Sequence, residues 1–302
     1  MPPHHLPSVA AYHRFRGLPG PAHPLVSVVR FEDIGALRAD EPAGITQDFY
    51  AVALKREVNV GMRYGRRAYD FDGGRMVFLA PGQVYGLRGQ AGPLTHAGYL
   101  LLLHPDFLLG TALAEGIRRY DYFGYDVYEA LFLSEREEAT VTELMRQIDE
   151  ELDARLDRHS KPVLVSQISL LLDYADRFYH RQFLTRERES HDVLTRLEAL
   201  LDAAFAEDAF RQNGPPTVES IAHSLHLSPN YLSGLLRAHT GRSTRDHIGE
   251  RLIARAKSQL AGTALSVKEI AYGLGYARPQ SFNRVFRARV GVSPGRWRRG
   301  EG

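Results

Sequence analysis

Val218-Glu219-Ser220-Ile221-Ala222-His223-Ser224-Leu225 and Val267-Lys268-Glu269-Ile270-Ala271-Tyr272-Gly273-Leu274 are two versions of one pattern, and their relation decides the fold of the C-terminal third. Val218, Ile221, Ala222 and Leu225 recur as Val267, Ile270, Ala271 and Leu274, 49 residues on. One residue is then added. Leu232, Leu236, Arg237, Ala238, Gly241 and Ser243 recur as Phe282, Phe286, Arg287, Ala288, Gly291 and Ser293, 50 residues on. Self-similarity at a fixed offset means one supersecondary unit used twice. Each copy reads as a short helix, a turn, and a second helix closed by glycine.

The residue types fit a helix-turn-helix. Thr217 and Ser266 stand where an N-cap belongs. Ile221/Leu225 and Ile270/Leu274 supply a buried face, and Ala222 and Ala271 are small enough for a second helix to approach. Ser228-Pro229 is a helix start, with a capping hydroxyl and then proline at the first helical position. Tyr231, Leu232, Leu235 and Leu236, and in the second copy Phe282, Val285 and Phe286, are expected to turn inward. Gly241 and Gly291 end these helices. Two recognition helices follow, at about 229–240 and 279–290. Asn230, Ser233, Gly234 and Arg237 are expected to face outward on the first, and Gln280, Asn283, Arg284 and Arg287 on the second.

Outward Gln, Asn and Arg suit a major groove, where Gln and Asn pair with adenine and Arg with guanine. Gln280, Asn283 and Arg284 are therefore expected to read bases, with Asn230 and Ser233 doing so more poorly from the first copy. Arg237, Ser281, Arg287 and Arg289 are expected on phosphates, which position without specifying. Residues 245–260 form an amphipathic connector through Ile248, Leu252, Ile253, Ala256 and Leu260. Trp297, after Ser293-Pro294, reads as a core plug and not as a base contact. Charge agrees: residues 193–302 hold 16 Lys and Arg against 9 Asp and Glu, while the rest of the chain holds 22 against 27. A basic third on an acidic remainder suggests that one part meets a polyanion.

Arg251-Leu252-Ile253-Ala254-Arg255-Ala256, Ile270 to Tyr276, Ser281 to Arg287 and Gly291-Val292-Ser293-Pro294 strongly resemble the AraC/XylS family of bacterial transcription regulators. The resemblance covers about residues 195–299. In one place the chain departs from the family: Arg278-Pro279-Gln280 stands where members usually carry an acidic residue and then Ser or Gln. The resemblance implies a cupin-like barrel that senses a small-molecule effector, helices that form a homodimer, and activation of transcription on double-stranded DNA with RNA polymerase as partner.

The N-terminal pattern, read independently, is strands and then helices. Residues 25–31, 49–54, 76–79 and 99–103 are β-branched, aromatic or aliphatic runs broken by turn signals such as Ala80-Pro81-Gly82-Gln83. They suggest a small barrel or sandwich. Ser134-Glu135-Arg136-Glu137 is a capping box, followed by apolar residues at helical spacing through Leu156. A second helix follows Lys161-Pro162. The helices read either as a dimerising hairpin or as a cover on the strands. The expected class is thus α+β: an arm at 1–24, a cupin-like sensing domain at 25–132, a helical hairpin at 133–182, a charged linker at 183–193, and two helix-turn-helix units joined by a linker helix at 194–302.

Phe49, Tyr64, Arg66, Phe78, Tyr85 and Tyr99 are the candidates for an effector pocket. No His-x-His pair follows the arm, so a cupin metal site lacks its ligand spacing, and no catalytic residue, metal or cofactor is expected. The alternatives are a cupin-type metal enzyme fused to a DNA-binding module, or a regulator governed by a protein partner. The chain has 302 residues and no cysteine, which excludes disulfides and thiolate zinc sites. No run reaches the roughly 18 apolar residues of a membrane span, and no secretory signal is visible, so a cytoplasmic location without membrane association is expected.

Overall fold

The computed structural model describes residues 3–34, 42–56, 74–86, 97–126, 129–154, 157–185 and 187–300, without the side chains of 187–190 and 208. It divides into an N-terminal unit, Met1–Gln182, and a C-terminal unit, Phe183–Gly302.

The N-terminal unit is built on five antiparallel strands in the order β2-β6-β4-β5-β7. These are β2 (Val26–Arg30), β4 (Tyr50–Arg56), β5 (Arg75–Leu79), β6 (Ala97–Leu103) and β7 (Leu131–Phe132). The runs foreseen from β-branched and aromatic residues are β2, β4, β5 and β6. Gly82, at φ 80°, makes the turn after β5. The described strands form an open sheet with β2 and β7 at its edges, and a closed cupin-like barrel is not seen among the described residues. Short alternating strands fit either form, and closure depends on edge pairings that periodicity does not encode.

The register sorts the sheet's two faces. Val52 faces Phe78 and Leu101 across its neighbours, and Ala53 faces Val77 and Leu100. Strand alternation puts these two sets on opposite sides. On the first face Val29, Ala51, Ala53, Val77, Leu100 and Leu102 share a core with Leu6, Val9, Tyr12, Ile45 and Phe49. Residues 1–24, expected as an unstructured arm, supply much of that cover. β1 (His4–Leu6) pairs in parallel with β3 (Ile45–Gln47). α1 (Val9–Arg16) is capped by Ser8, whose hydroxyl accepts from Ala11 N, and is closed by Gly17 at φ 69°. His13 ties α1 down: Nδ1 donates to the Pro19 carbonyl at 2.6 Å, and Nε2 shares a 3.0 Å hydrogen bond with the Ser27 hydroxyl.

The second face is covered by helices. The chain passes through α2 (Pro105–Leu108), α3 (Ala112–Gly116) and 3-10 turns to α4 (Glu135–Asp153) and α5 (Ser160–Thr185). α4 starts with the capping box foreseen at Ser134 and Glu137. It lies on β2 and β6, with Arg56 of β4 paired to Glu138 at 2.5 Å. α5 packs on an aromatic cluster: Tyr179 stacks on Tyr122 at 5.4 Å, and Phe78 lies 4.4 Å from Tyr122. The Tyr122 hydroxyl donates to the Leu172 carbonyl at 2.8 Å. The Gln182 side chain then satisfies edge strand β7, accepting from Phe132 N and donating to the Ala130 carbonyl. Arg181 of α5 pairs with Glu137 of α4 at 2.6 Å, so α5 ends where α4 begins. Of the two readings of these helices, the one realised within the chain is the cover.

The C-terminal unit is all helical. The charged stretch 183–193, expected as a linker, belongs to the end of α5 and the start of α6 (Glu187–Phe205). Phe183 is buried, edge-on to Tyr231 at 5.0 Å. α7 (Glu207–Asn213) precedes the first repeat, α8 (Val218–Leu225) and α9 (Pro229–Thr240). α10 (Thr244–Gly262) joins it to the second, α11 (Val267–Gly273) and α12 (Pro279–Val290), and α13 (Pro294–Arg298) closes the unit. Ile221, Ala222, Leu225, Leu232, Leu235 and Leu236 are buried as foreseen. Ile253, Ala256, Leu260, Ile270, Ala271, Leu274, Phe282 and Phe286 form the second core, with Trp297 packed against it.

The repeat's turns differ in one informative way. α8 ends at His226 in the left-handed region, φ 58°, the one non-glycine residue at positive φ among those described. The matching residue of the second copy is Gly275, φ 82°. A side chain in that region costs about 1–2 kcal/mol, partly offset by glycine's greater loss of backbone entropy. His226→Gly is therefore expected to stabilise the unit by about 0.5–1 kcal/mol. A higher urea midpoint is the expected reading; an unchanged or lower one means that His226's own contacts outweigh the strain.

Candidate nucleic-acid interface

Both first helices carry the reciprocal caps their sequences promise. The Thr217 hydroxyl accepts from Ser220 N, and the Ser266 hydroxyl accepts from Glu269 N while the Glu269 carboxylate accepts from Ser266 N. Ser228 caps α9 by accepting from Tyr231 N at 3.2 Å. Gly241 and Gly291, both at positive φ, end the second helices. α9 is thus capped at both ends and α12 at its C-terminal end, with their apolar sides held by the cores described above.

On α12 the foreseen outward residues fall on one stripe. Gln280, Asn283, Arg284 and Arg287 are all exposed, and the spacing i, i+3, i+4, i+7 places them along one side. Among the described residues none of the four has a hydrogen-bond or ion-pair partner. Most other arginines nearby are committed. Arg251 holds Glu198 at 2.5 Å and Asp202 at 2.6 Å. Arg255 holds Glu207 at 2.7 Å and lies over Phe210. Arg298 donates to the Leu260 and Leu265 carbonyls. The polar stripe on α12 is open because the fold's own carboxylates are engaged elsewhere.

Two of the foreseen contact residues have partners within the fold. Arg289, expected on phosphate, donates to the Asp246 carbonyl at 3.2 Å and to Asp246 Oδ1 at 3.1 Å, tying α12 to the start of α10. Hydrogen bonds from the Ser243 side chain and backbone, then the charges of Arg289 and Arg237, hold the Asp246 carboxyl below the usual range. Ser233, expected to face outward, is half-buried and shares a 3.0 Å hydrogen bond with the buried Thr244 hydroxyl. Gly234 beside it is half-buried as well. Asn230 and Arg237 are exposed, and Ser281 is half-buried. Aligned by the repeat, Asn230, Ser233, Gly234 and Arg237 stand where α12 has Gln280, Asn283, Arg284 and Arg287. At both middle positions the first copy carries a small, half-buried residue.

Arg278 escaped the sequence-based assignment although the added residue of the second copy pointed to it. It occupies the N-cap position of α12 with extended backbone, φ −137° and ψ 126°, and makes no side-chain cap. It is exposed. Arg278→Ser, which installs the hydroxyl that Ser228 supplies in the first copy, is expected to stabilise the unit by about 1 kcal/mol. Urea unfolding followed through Trp297 fluorescence measures it; a loss of stability would mean that the Arg278 side chain contributes to folding.

The expected effector residues fare differently. Phe49, Phe78 and Tyr85 are buried in the unit's own packing, with Tyr85 donating to Gln47 Oε1 at 3.1 Å. Tyr99 is half-buried, and Tyr64 and Arg66 lie outside the described residues. No group of three or more His, Asp or Glu among the described residues is arranged to hold a metal ion. His104 caps α2 through Nδ1, accepting from Asp106 N at 3.2 Å. No described helix is long and apolar enough to cross a membrane.

A family model described as a helix-turn-helix domain matches residues 221–300, which include α9 to α13. Residues 221–300 are a helix-turn-helix domain. The chain is similar to the uncharacterized HTH-type transcriptional regulator YtdP of Bacillus subtilis, 39% identical over 82 residues, 27% of this chain and 11% of that protein. It is also similar to the uncharacterized HTH-type transcriptional regulator YijO of Escherichia coli, 32% identical over 105 residues, 35% of this chain and 37% of that protein. The chain thus spans well under half the length of these relatives. Among solved structures, the C-terminal domain of AraT, a response regulator from Geobacillus stearothermophilus, aligns at a TM-score of 0.31 and 29% identity, covering 36% of this chain and 84% of that domain.

Proposed function

We propose that this chain is a sequence-specific DNA-binding transcription regulator in which α12 reads bases in the major groove. The observation that carries this is the open row Gln280, Asn283, Arg284 and Arg287 on one exposed side of a helix whose other side is held by the buried Phe282 and Phe286. Gln and Asn are matched to adenine and Arg to guanine. Arg287 and Ser281 contact phosphates. Asn230 and Arg237 make a second, poorer contact from α9. The 19 residues of α10 extend about 28 Å, near the roughly 34 Å between successive major-groove turns, which supports the use of two grooves. Residues 3–182 sense a small-molecule effector and shift the population of DNA-competent states. The active species is a homodimer that recruits RNA polymerase as an activator in the cytoplasm, and the chain has no catalytic role.

The test is binding of the full-length protein to DNA from its own promoter region and to scrambled DNA, across a salt series. A large preference for native DNA over a shared, salt-sensitive background is expected, because phosphate contacts weaken with salt on all sequences alike. Equal affinity for both DNAs at every salt concentration would reject base reading.

A further inference from the structure

The first turns of α10 hold both recognition helices. From α9, Ser233 shares a 3.0 Å hydrogen bond with the fully buried Thr244, and Thr240 Oγ1 lies 3.0 Å from His247 Nε2. From α12, the Arg289 guanidinium donates to the Asp246 carbonyl at 3.2 Å and to Asp246 Oδ1 at 3.1 Å. Asp246 is held in turn by the box that starts α10. Its Oδ2 accepts from Ser243 N at 3.1 Å and from the Ser243 hydroxyl at 2.7 Å. Residues 244–247 thus receive α9 and α12 on one short segment.

Gly249 makes room for the second of these ties. A Cβ on Gly249 would stand 2.5 Å from Arg289 Nη1 and 2.7 Å from Cζ and Nη2, well inside van der Waals contact. Glycine within a helix is destabilising relative to alanine. A partly exposed ion pair such as Arg289–Asp246 returns an amount of similar size. The combination therefore adds little net stability, but it does add direction. Phe282 and Phe286 hold the inward side of α12 in the core. Arg289, further along that side, fixes the C-terminal end to the helix that also carries α9. Two attachment points set the direction of a helix that one would leave free to swing. A local rule broken without a gain in stability is characteristic of functional positions.

We propose that Arg289, laid over Gly249 onto Asp246, is a positioning residue that fixes α12 relative to α9 and so makes the protein selective for the distance between its two contact sites on double-stranded DNA. The proposal deepens, and rests on, the reading of α9 and α12 as two DNA-contacting helices. One added base pair turns the second site by about 35° and moves it about 3.4 Å along the duplex, from roughly 10 base pairs and 34 Å per turn. Helices locked to one segment of α10 do not follow that change, and helices freed of the tie follow it more easily.

The test uses the full-length protein on its own promoter DNA. A hydroxyl-radical footprint of the wild type locates the two contacted stretches, and one base pair is then inserted or deleted between them. Wild type is expected to lose affinity on either change. The protein meets a wrong spacing by breaking the tie, so in Gly249→Ala that loss should shrink by about two- to fivefold, about 0.4–1 kcal/mol at 1.4 kcal/mol per tenfold, the range of a partly exposed ion pair. Gly249→Ala displaces only the far end of the Arg289 side chain, and alanine favours the helix. Its urea midpoint, read through Trp297 fluorescence, should therefore be equal or higher, which a merely structural role for the tie does not predict. Arg289→Met should relax spacing as Gly249→Ala does, and Arg289→Lys, which keeps a charge beside Asp246, should retain part of the discrimination. Equal losses in wild type, Gly249→Ala and Arg289→Met overturn the proposal, as does a footprint with one contacted stretch. A lower urea midpoint in Gly249→Ala with unchanged spacing discrimination means that the tie serves folding alone, and the proposal fails. Preference for native over scrambled DNA separates the two readings. Wild type that keeps this preference while tolerating either spacing change rejects the positioning role alone, and wild type without the preference rejects the regulator.

Discussion

Gln280→Ala and Arg284→Ala in the full-length protein should each reduce preference for native over scrambled DNA by about 5- to 150-fold, the equivalent of about 1–3 kcal/mol for one bidentate base pairing. Both side chains are exposed and have no hydrogen-bond or ion-pair partner among the described residues, so folding stability should change little. Their effects on non-specific binding should differ. Gln280 carries no charge, and its removal should leave the salt dependence unchanged. Removal of Arg284 should lower the salt slope only to the extent that it also touches phosphate. Arg287→Ala should weaken all sequences alike and reduce the slope by roughly 1. Arg289→Ala is the internal contrast, because it breaks the tie to Asp246 and should lower the urea midpoint before it changes sequence preference. Competition binding at two or more salt concentrations measures these quantities. An unchanged native-to-scrambled ratio in both Gln280→Ala and Arg284→Ala would remove α12 as the reading helix.

The difference between Arg287 and Arg289 shows where sequence reading reached its limit. Both are arginines in the last turns of α12, and both are exposed. Helical periodicity places them relative to Phe282 and Phe286, but it does not reveal that Asp246, 43 positions earlier, stands beside only one of them. The pairing of Ser233 with Thr244 was hidden for the same reason. What was legible was local: caps at Thr217, Ser228 and Ser266, glycine stops at Gly241 and Gly291, and the inward Ile-Ala pairs. The repeat strengthened these signals because the pattern occurs twice. In the N-terminal unit the strands were legible by composition, but their partners were not. His4 meets Ile45 and Val52 meets Leu101 across long stretches of chain. Hence residues 4–16 read as an arm, although Val9 and Tyr12 are buried in the core.

Phe286→Ala should produce the largest loss of stability in the C-terminal unit, about 3–5 kcal/mol, the usual cost of emptying a buried phenylalanine site. The ring is fully buried, 5.6 Å from Phe282 and 6.5 Å from Trp297 between ring centres. It lies in the cluster that joins α10, α11 and α12, so its loss loosens the recognition helix from the helices that orient it. Phe286→Leu, which retains most of the volume, should cost less than half as much. The chain supplies its own probe, because Trp297 is its one tryptophan and packs against this cluster. Its fluorescence should report a urea transition shifted to much lower concentration. The near-ultraviolet tyrosine signal, to which the stacked Tyr122 and Tyr179 contribute, should keep the transition of the N-terminal unit. DNA binding should fall although Gln280, Asn283, Arg284 and Arg287 are all still present. That outcome would show that the open stripe reads DNA only while the opposite side of α12 is held in place. Retention of both stability and DNA preference in Phe286→Ala would mean that α12 is positioned by its C-terminal stop at Gly291 and by Phe282 alone.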